Sequence, residues 1–168
     1  MEQNIRKPFL ITEELLASHG QRFVNLLIDS VMQFILLFIV LVFIVASKEI
    51  NEGKAYVDHL ANNVWLQYAF TGGIALFYYN VFEIFSARTV GKLVTQTIVV
   101  DENGELPNHE TIMVRSLCRL IPFNALSIIG FPARTWHDSI SRTYVVDKKA
   151  LETQKREFYQ SKSNPNEE

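Results

Sequence analysis

Cysteine is nearly absent from this sequence. Cys118 is the single one in 168 residues, so an intramolecular disulfide framework is excluded, and Cys118 itself reads as a packing residue. A surplus of positive charge is also missing. Sixteen Lys and Arg stand against 18 Asp and Glu, a net charge of −2, which argues against a nucleic-acid partner. The four histidines are His19, His59, His109 and His137. None of the other three has metal-ligand spacing to the His137-Asp138 pair, so no metal site and no cofactor are expected. No Ser/His/Asp or Cys/His set can be placed on common elements, so no enzyme is expected. Finally, the chain lacks the interleaving of apolar and charged residues that a water-soluble fold shows at a period of 3.6 or 2.

What is present instead is segregation. Residues 23–46 read FVNLLIDSVMQFILLFIVLVFIVA, about 36 Å long as a helix against a hydrocarbon core of about 30 Å. Its 18 Leu, Ile, Phe and Val contribute roughly −5 to −11 kcal/mol to insertion, and Asp29 costs about 3. A transmembrane helix is therefore predicted in spite of its acid. The run is too long, and starts too late, for a signal peptide. Residues 47–63 read as a polar loop. A second spanning helix is predicted over 64–86, with Trp65 and Tyr68 as interfacial anchors and Glu83 as a second acid within it.

Beyond 86 the pattern changes. β-Branched residues predict a strand near 93–101 and another near 142–147, and their endings, Ile98-Val99-Val100-Asp101 and Tyr144-Val145-Val146-Asp147, are alike. Pairing would make a small β-hairpin-like sheet. Asp101-Glu102-Asn103-Gly104 is a turn signal, and Asn108 is placed to cap a helix. Residues 109–133 carry Arg115 and Arg119, at about 3 kcal/mol each at bilayer centre, and are divided by Pro122. They read as an interfacial or re-entrant helix pair, with Met113, Leu117, Leu120 and Ile121 as its apolar stripe. Thr89-Val90-Gly91-Lys92 is no P-loop and reads as a helix exit with Gly91 as turn residue. Residues 148–168 form a polar tail. Loop charges place residues 1–22 and everything from Arg88 onward, including the C-terminus, on the cytoplasmic side.

Arg22, Asn25 and Asp29 share one face of the first helix, and Asn80 and Glu83 share one of the second. Carboxyls at that depth are candidates for binding a proton or a cation, with Asn25 and Asn80 beside them. The alternative is a structural ion pair to Arg22, Arg115 or Arg119. Those two last arginines could also bind anionic head groups, or simply anchor the segment.

The residues RFVNLLID, FEIFSARTVGKLVTQTIVVDENGELP and WHDSISRTYVV together resemble the RDD family of small bacterial membrane proteins over about residues 15–147. That family is named for an arginine and an aspartate of the first helix and a later aspartate, matched here by Arg22, Asp29 and Asp138. Arg115 fits a further expected arginine, while Ser86 or Ala87 stands where the family has glycine. The resemblance implies a multipass protein of the bacterial cytoplasmic (inner) membrane. It also implies a small transporter, with cation/proton antiport claimed for some members. Two spanning helices cannot enclose a pathway, so a homo-oligomer or a partner membrane protein would be needed. The competing expectation is a non-catalytic membrane scaffold whose buried charges serve helix pairing.

Overall fold

The computed structural model describes residues 9–47, 50–121, 127 and 134–163. Among these the fold is mostly helical, with seven α-helices and a two-stranded antiparallel sheet. The first helix, α1 (His19–Ala46), opens on a capping box: Ser18 Oγ accepts from the Gln21 N–H, and the Gln21 side chain accepts from the Ser18 N–H, satisfying two of the four orphan donors of a helix start. It is the one described helix both long and apolar enough to cross a membrane, and almost none of its apolar window is buried.

The segment read as a polar loop instead contains α2 (Ile50–Asn62). Gly53, Val57 and Leu60 are among its least exposed positions, the i, i+4, i+7 spacing of a helix face, which the surrounding charges obscure. A Cβ on Gly53 would lie 2.9 Å from Val45 Cα, so glycine permits α2 to fold back against α1. Helix α3 (Val64–Ser86) starts at Asn63, whose Oδ1 accepts from the N–H groups of Trp65 and Leu66. It ends at Ala87, which caps it in the left-handed conformation at φ 52°. A turn therefore does form where the family has glycine.

The short α4 (Val90–Val94) follows, then β1 (Thr97–Val100), α5 (His109–Cys118), α6 (Trp136–Ile140), β2 (Tyr144–Asp147) and α7 (Lys148–Ser163). Leu93 and Val94 belong to α4, so β1 is shorter than the predicted strand. The strands pair antiparallel with Ile98 opposite Val146 and Val99 opposite Val145. They do not form a hairpin: α5 and α6 lie between them in the chain, so the pairing is closed by packing rather than by a tight turn. One side of the sheet packs Val100 and Val146 against Phe9, Leu15 and Leu151; Val99 and Val145 pack with Ala17. This is the only water-type core among the described residues, and it holds the start of α1 through the Ala17 N–H bond to Val145 O at 2.9 Å.

Asp101 Oδ1 accepts from the N–H groups of Asn103 and Glu105, and Gly104 takes φ 74° in that turn. Asn108 caps α5 through the Thr111 N–H at 2.8 Å. Most of the second half of the predicted 109–133 helix pair lies outside the described residues.

The likeness of the two strands extends to their entries. Gln96 and Arg142 both have positive φ, at 57° and 50°, and each precedes a fully buried threonine, Thr97 and Thr143. Gln96 is exposed, so its side chain contributes little to offset the cost of a left-handed non-glycine residue. Gln96→Gly is expected to stabilise the protein by up to about 1 kcal/mol, measured as a shift in denaturation midpoint in detergent.

Candidate functional site

The residues that the two apolar helices bury are polar ones. On α1 the buried positions are Arg22, Asn25 and Asp29, and on α3 they are Tyr78 and Glu83. They meet α4, α5 and α6 in a largely buried network.

Asp138 is its first centre. Fully buried on α6, it stands between two guanidinium groups, with Arg22 Nη1 at 2.5 Å from Oδ2 and Arg115 Nη1 at 2.5 Å from Oδ1. Burial alone would raise its pKa, but Arg115 and Arg22 hold its carboxyl well below the usual carboxylate range. Arg22 also donates to the backbone carbonyls of Ala17 and Val145, and Arg115 to Thr143 Oγ1 at 2.5 Å. One carboxylate thus ties α1, α5 and the entry to β2. Its neighbour His137 is pushed well below its ordinary pKa by burial and is neutral at pH 7.

Glu83 is the second centre. Its Oε1 accepts from Lys92 Nζ and from Arg119 Nη2, the latter at 2.7 Å, and Arg115 Nε lies 3.3 Å from Oε2. Arg115 therefore bridges Glu83 and Asp138. Arg119 also stacks over the Tyr79 ring, 3.6 Å from its centroid. Burial, only partly offset by Glu83, brings the Lys92 ammonium down to about 8, which leaves it charged at neutral pH.

Asp29 is held differently. No ion pair to it occurs among the described residues. Its Oδ1 accepts from Tyr78 O–H and the Gly91 N–H, both at 2.8 Å, and its Oδ2 accepts from Thr89 Oγ1 at 2.7 Å. Asn25, one turn earlier, donates to Thr97 Oγ1 at 3.1 Å and accepts from Thr95 Oγ1 at 2.6 Å. Asn80 stands apart from both centres: its Nδ2 donates to Leu76 O. Among the described residues no group of three His, Cys, Asp or Glu is placed to hold a metal ion, and Glu83 and Asp138 face cations of the chain itself.

The element that connects these parts is α4, which the sequence alone suggested was only a helix exit. Thr89 caps it and bonds Asp29, Gly91 bonds Asp29, and Lys92 bonds Glu83. Gly91 lies inside this helix, not in a turn. A Cβ there would meet Asn25 O at 2.6 Å and Asn25 Cα at 2.8 Å. Glycine is required because two backbones touch. The signal was present as the dipeptide Gly-Lys; without α1 in view, no local pattern shows that a side chain at 91 would collide with another helix. Gly91→Ala is expected to destabilise by about 2 kcal/mol, as overpacking against a rigid backbone does, with a lowered melting temperature of the purified protein as the readout.

The sequence model of the RDD family matches residues 16–142, which include Arg22, Asp29, Glu83, all of α4, Arg115 and Asp138. No curated protein and no solved structure matches the chain. The match covers well over half of the sequence, and the arginine and two aspartates quoted for the family are all buried in this one connected assembly of helices: the chain belongs to the RDD family.

Proposed function

We propose that this chain is a non-catalytic scaffold of the bacterial inner membrane, in which α1 spans the bilayer, the less apolar α3 crosses beside it with Tyr78 and Glu83 turned inward, and α5 lies at the cytoplasmic interface. Both termini and the small sheet face the cytoplasm, where a partner would dock. The observation that supports this reading is an inverted burial pattern. Phe38 and Phe43 on α1 are 67% and 70% exposed while Arg22 and Asp29 are buried. On α5, Met113 and Leu117 are 54% and 55% exposed while Arg115 is fully buried. In water this arrangement leaves large apolar surface exposed; against lipid it is the stable one, since intramembrane charges face the bundle interior and pair there. The carboxylates Glu83 and Asp138 are each engaged by cations of neighbouring elements, as helix pairing requires.

A second reading is favoured by one specific observation. Asp29 is buried, has only neutral donors among the described residues, and lines the cavity between α1 and α3. A carboxyl so placed is a candidate for carrying a proton or a monovalent cation, within a homo-oligomer or beside a partner membrane protein. Asp29→Asn separates the two readings. The scaffold reading expects the variant to lose roughly 1–3 kcal/mol, the cost of unsatisfied buried hydrogen bonds. It also expects no flux from wild-type proteoliposomes challenged with Na⁺, Li⁺ or K⁺ and a pH-sensitive dye. Cation-dependent flux in wild type that is lost in a stable Asp29→Asn variant would establish transport instead.

A further inference from the structure

Beside the ionic network, bounded by α1, α3 and α5, lies a cavity of about 220 Å³, room for roughly seven waters at about 30 Å³ each. Four cations line it, Arg22, Lys92, Arg115 and Arg119, together with apolar groups such as Leu26 and Leu76. Four buried donors on its walls make no hydrogen bond among the described residues: Arg115 Nε and Nη2, Arg119 Nη1 and Ser116 Oγ. Arg115 Nε has Glu83 Oε2 at ion-pair distance, which leaves Arg115 Nη2, Arg119 Nη1 and Ser116 Oγ idle on three side chains. Arg115 is fully buried and Ser116 nearly so. A guanidinium cannot shed its proton, so its idle N–H groups are satisfied only by an incoming acceptor. The charge balance points the same way. These four cations face three buried carboxylates, Asp29, Glu83 and Asp138, and His137 is neutral, so one positive charge is left over.

We propose that this cavity binds a phosphate-bearing anion. Idle donors spread over three side chains are met together more readily by the tetrahedrally arranged oxygens of a phosphate than by the two coplanar oxygens of a carboxylate. Arginine forks match phosphate geometry bidentately, and a low-dielectric wall strengthens the attraction. The proposal does not require that the chain transports ions: Asp29 also lines the cavity, but its carboxyl accepts hydrogen bonds from Tyr78, Thr89 and Gly91 and is not among the idle groups. The phosphate can come from the cytoplasm as a free anion or from the bilayer as a phospholipid head group.

Two arms of one experiment distinguish these sources. In the first, the full chain in a phosphate-free alkyl-maltoside detergent is titrated calorimetrically with inorganic phosphate, against chloride at equal ionic strength. In the second, the same detergent-solubilised chain in phosphate-free buffer is compared by thermal melting with and without added phosphatidylglycerol, and with a neutral diacylglycerol as the lipid control. Two variants accompany wild type. Arg119→Gln removes an idle donor, and Ala75→Leu fills the cavity while keeping every charge. Saturable phosphate binding, or stabilisation by phosphatidylglycerol, is expected, with each variant weakening it about tenfold, the loss of one charged hydrogen bond or its equivalent. Response in the first arm alone identifies a soluble ligand, and in the second alone a lipid head group. No response beyond chloride and diacylglycerol overturns the proposal. So does a response that Ala75→Leu leaves unchanged, and this variant decides if Arg119→Gln fails to fold.

Discussion

The fold depends on one buried carboxylate held between two arginines. Asp138 receives Arg22 from α1 and Arg115 from α5, and through Arg115 the same network reaches Glu83 on α3 and Lys92 on α4. Taking such charges out of water costs several kcal/mol per ion, recovered only when geometry and additional hydrogen bonds are good. Here they are: Arg22 bonds two backbone carbonyls and Arg115 a buried threonine. The pairs cannot be dismantled piecemeal, because removing one partner strands the other. Sequence-distant elements are thereby joined through charge, while the described clusters of buried apolar residues lie at the sheet, around Val100 and Val146 and around Val99 and Val145.

The network also accounts for what the helices do with their apolar residues. A soluble helix buries its hydrophobic stripe, but α1 buries arginine, asparagine and aspartate, α5 buries arginine and serine beside Ile112, and both leave large apolar side chains such as phenylalanine, methionine and leucine outside. With the interior committed to charge, the outer surface must find an apolar solvent, and in the proposed arrangement the bilayer supplies it. Glycine enters at the points where this polar interior is tightest. Gly91 lets α4 lie against the backbone of Asn25, so that a main-chain N–H, not a cation, reaches Asp29.

Much of this was legible in the sequence, and the remainder was hidden for definite reasons. The apolar run containing Asp29 stands out by length alone, and the paired strand endings and the Asn108 cap follow from local chemistry. The grouping of Arg22, Asp138 and Arg115 was accessible only as a family resemblance, because no spacing rule links positions 22, 115 and 138. Helix α2 was concealed because its inward face is only Gly53, Val57 and Leu60 among charged neighbours. The strands looked like a hairpin because pattern reveals pairing preference, not the α5–α6 connection between them. The role of Thr89-Val90-Gly91-Lys92 was the largest omission. It depends on contacts with residues 25, 29 and 83, none of which is local.

The most direct measurement is a double-mutant cycle across the first ion pair, Arg22→Gln with Asp138→Asn, followed by denaturation of the purified protein in detergent. If the buried pair holds the helices together, each single variant loses about 3–5 kcal/mol. The double variant then loses clearly less than the sum, with a coupling of 1 kcal/mol or more, inside the range of roughly 0.5–3 seen for residues in contact. Losses that add to within about 0.5 kcal/mol would contradict the account and show that Arg22 and Asp138 act separately.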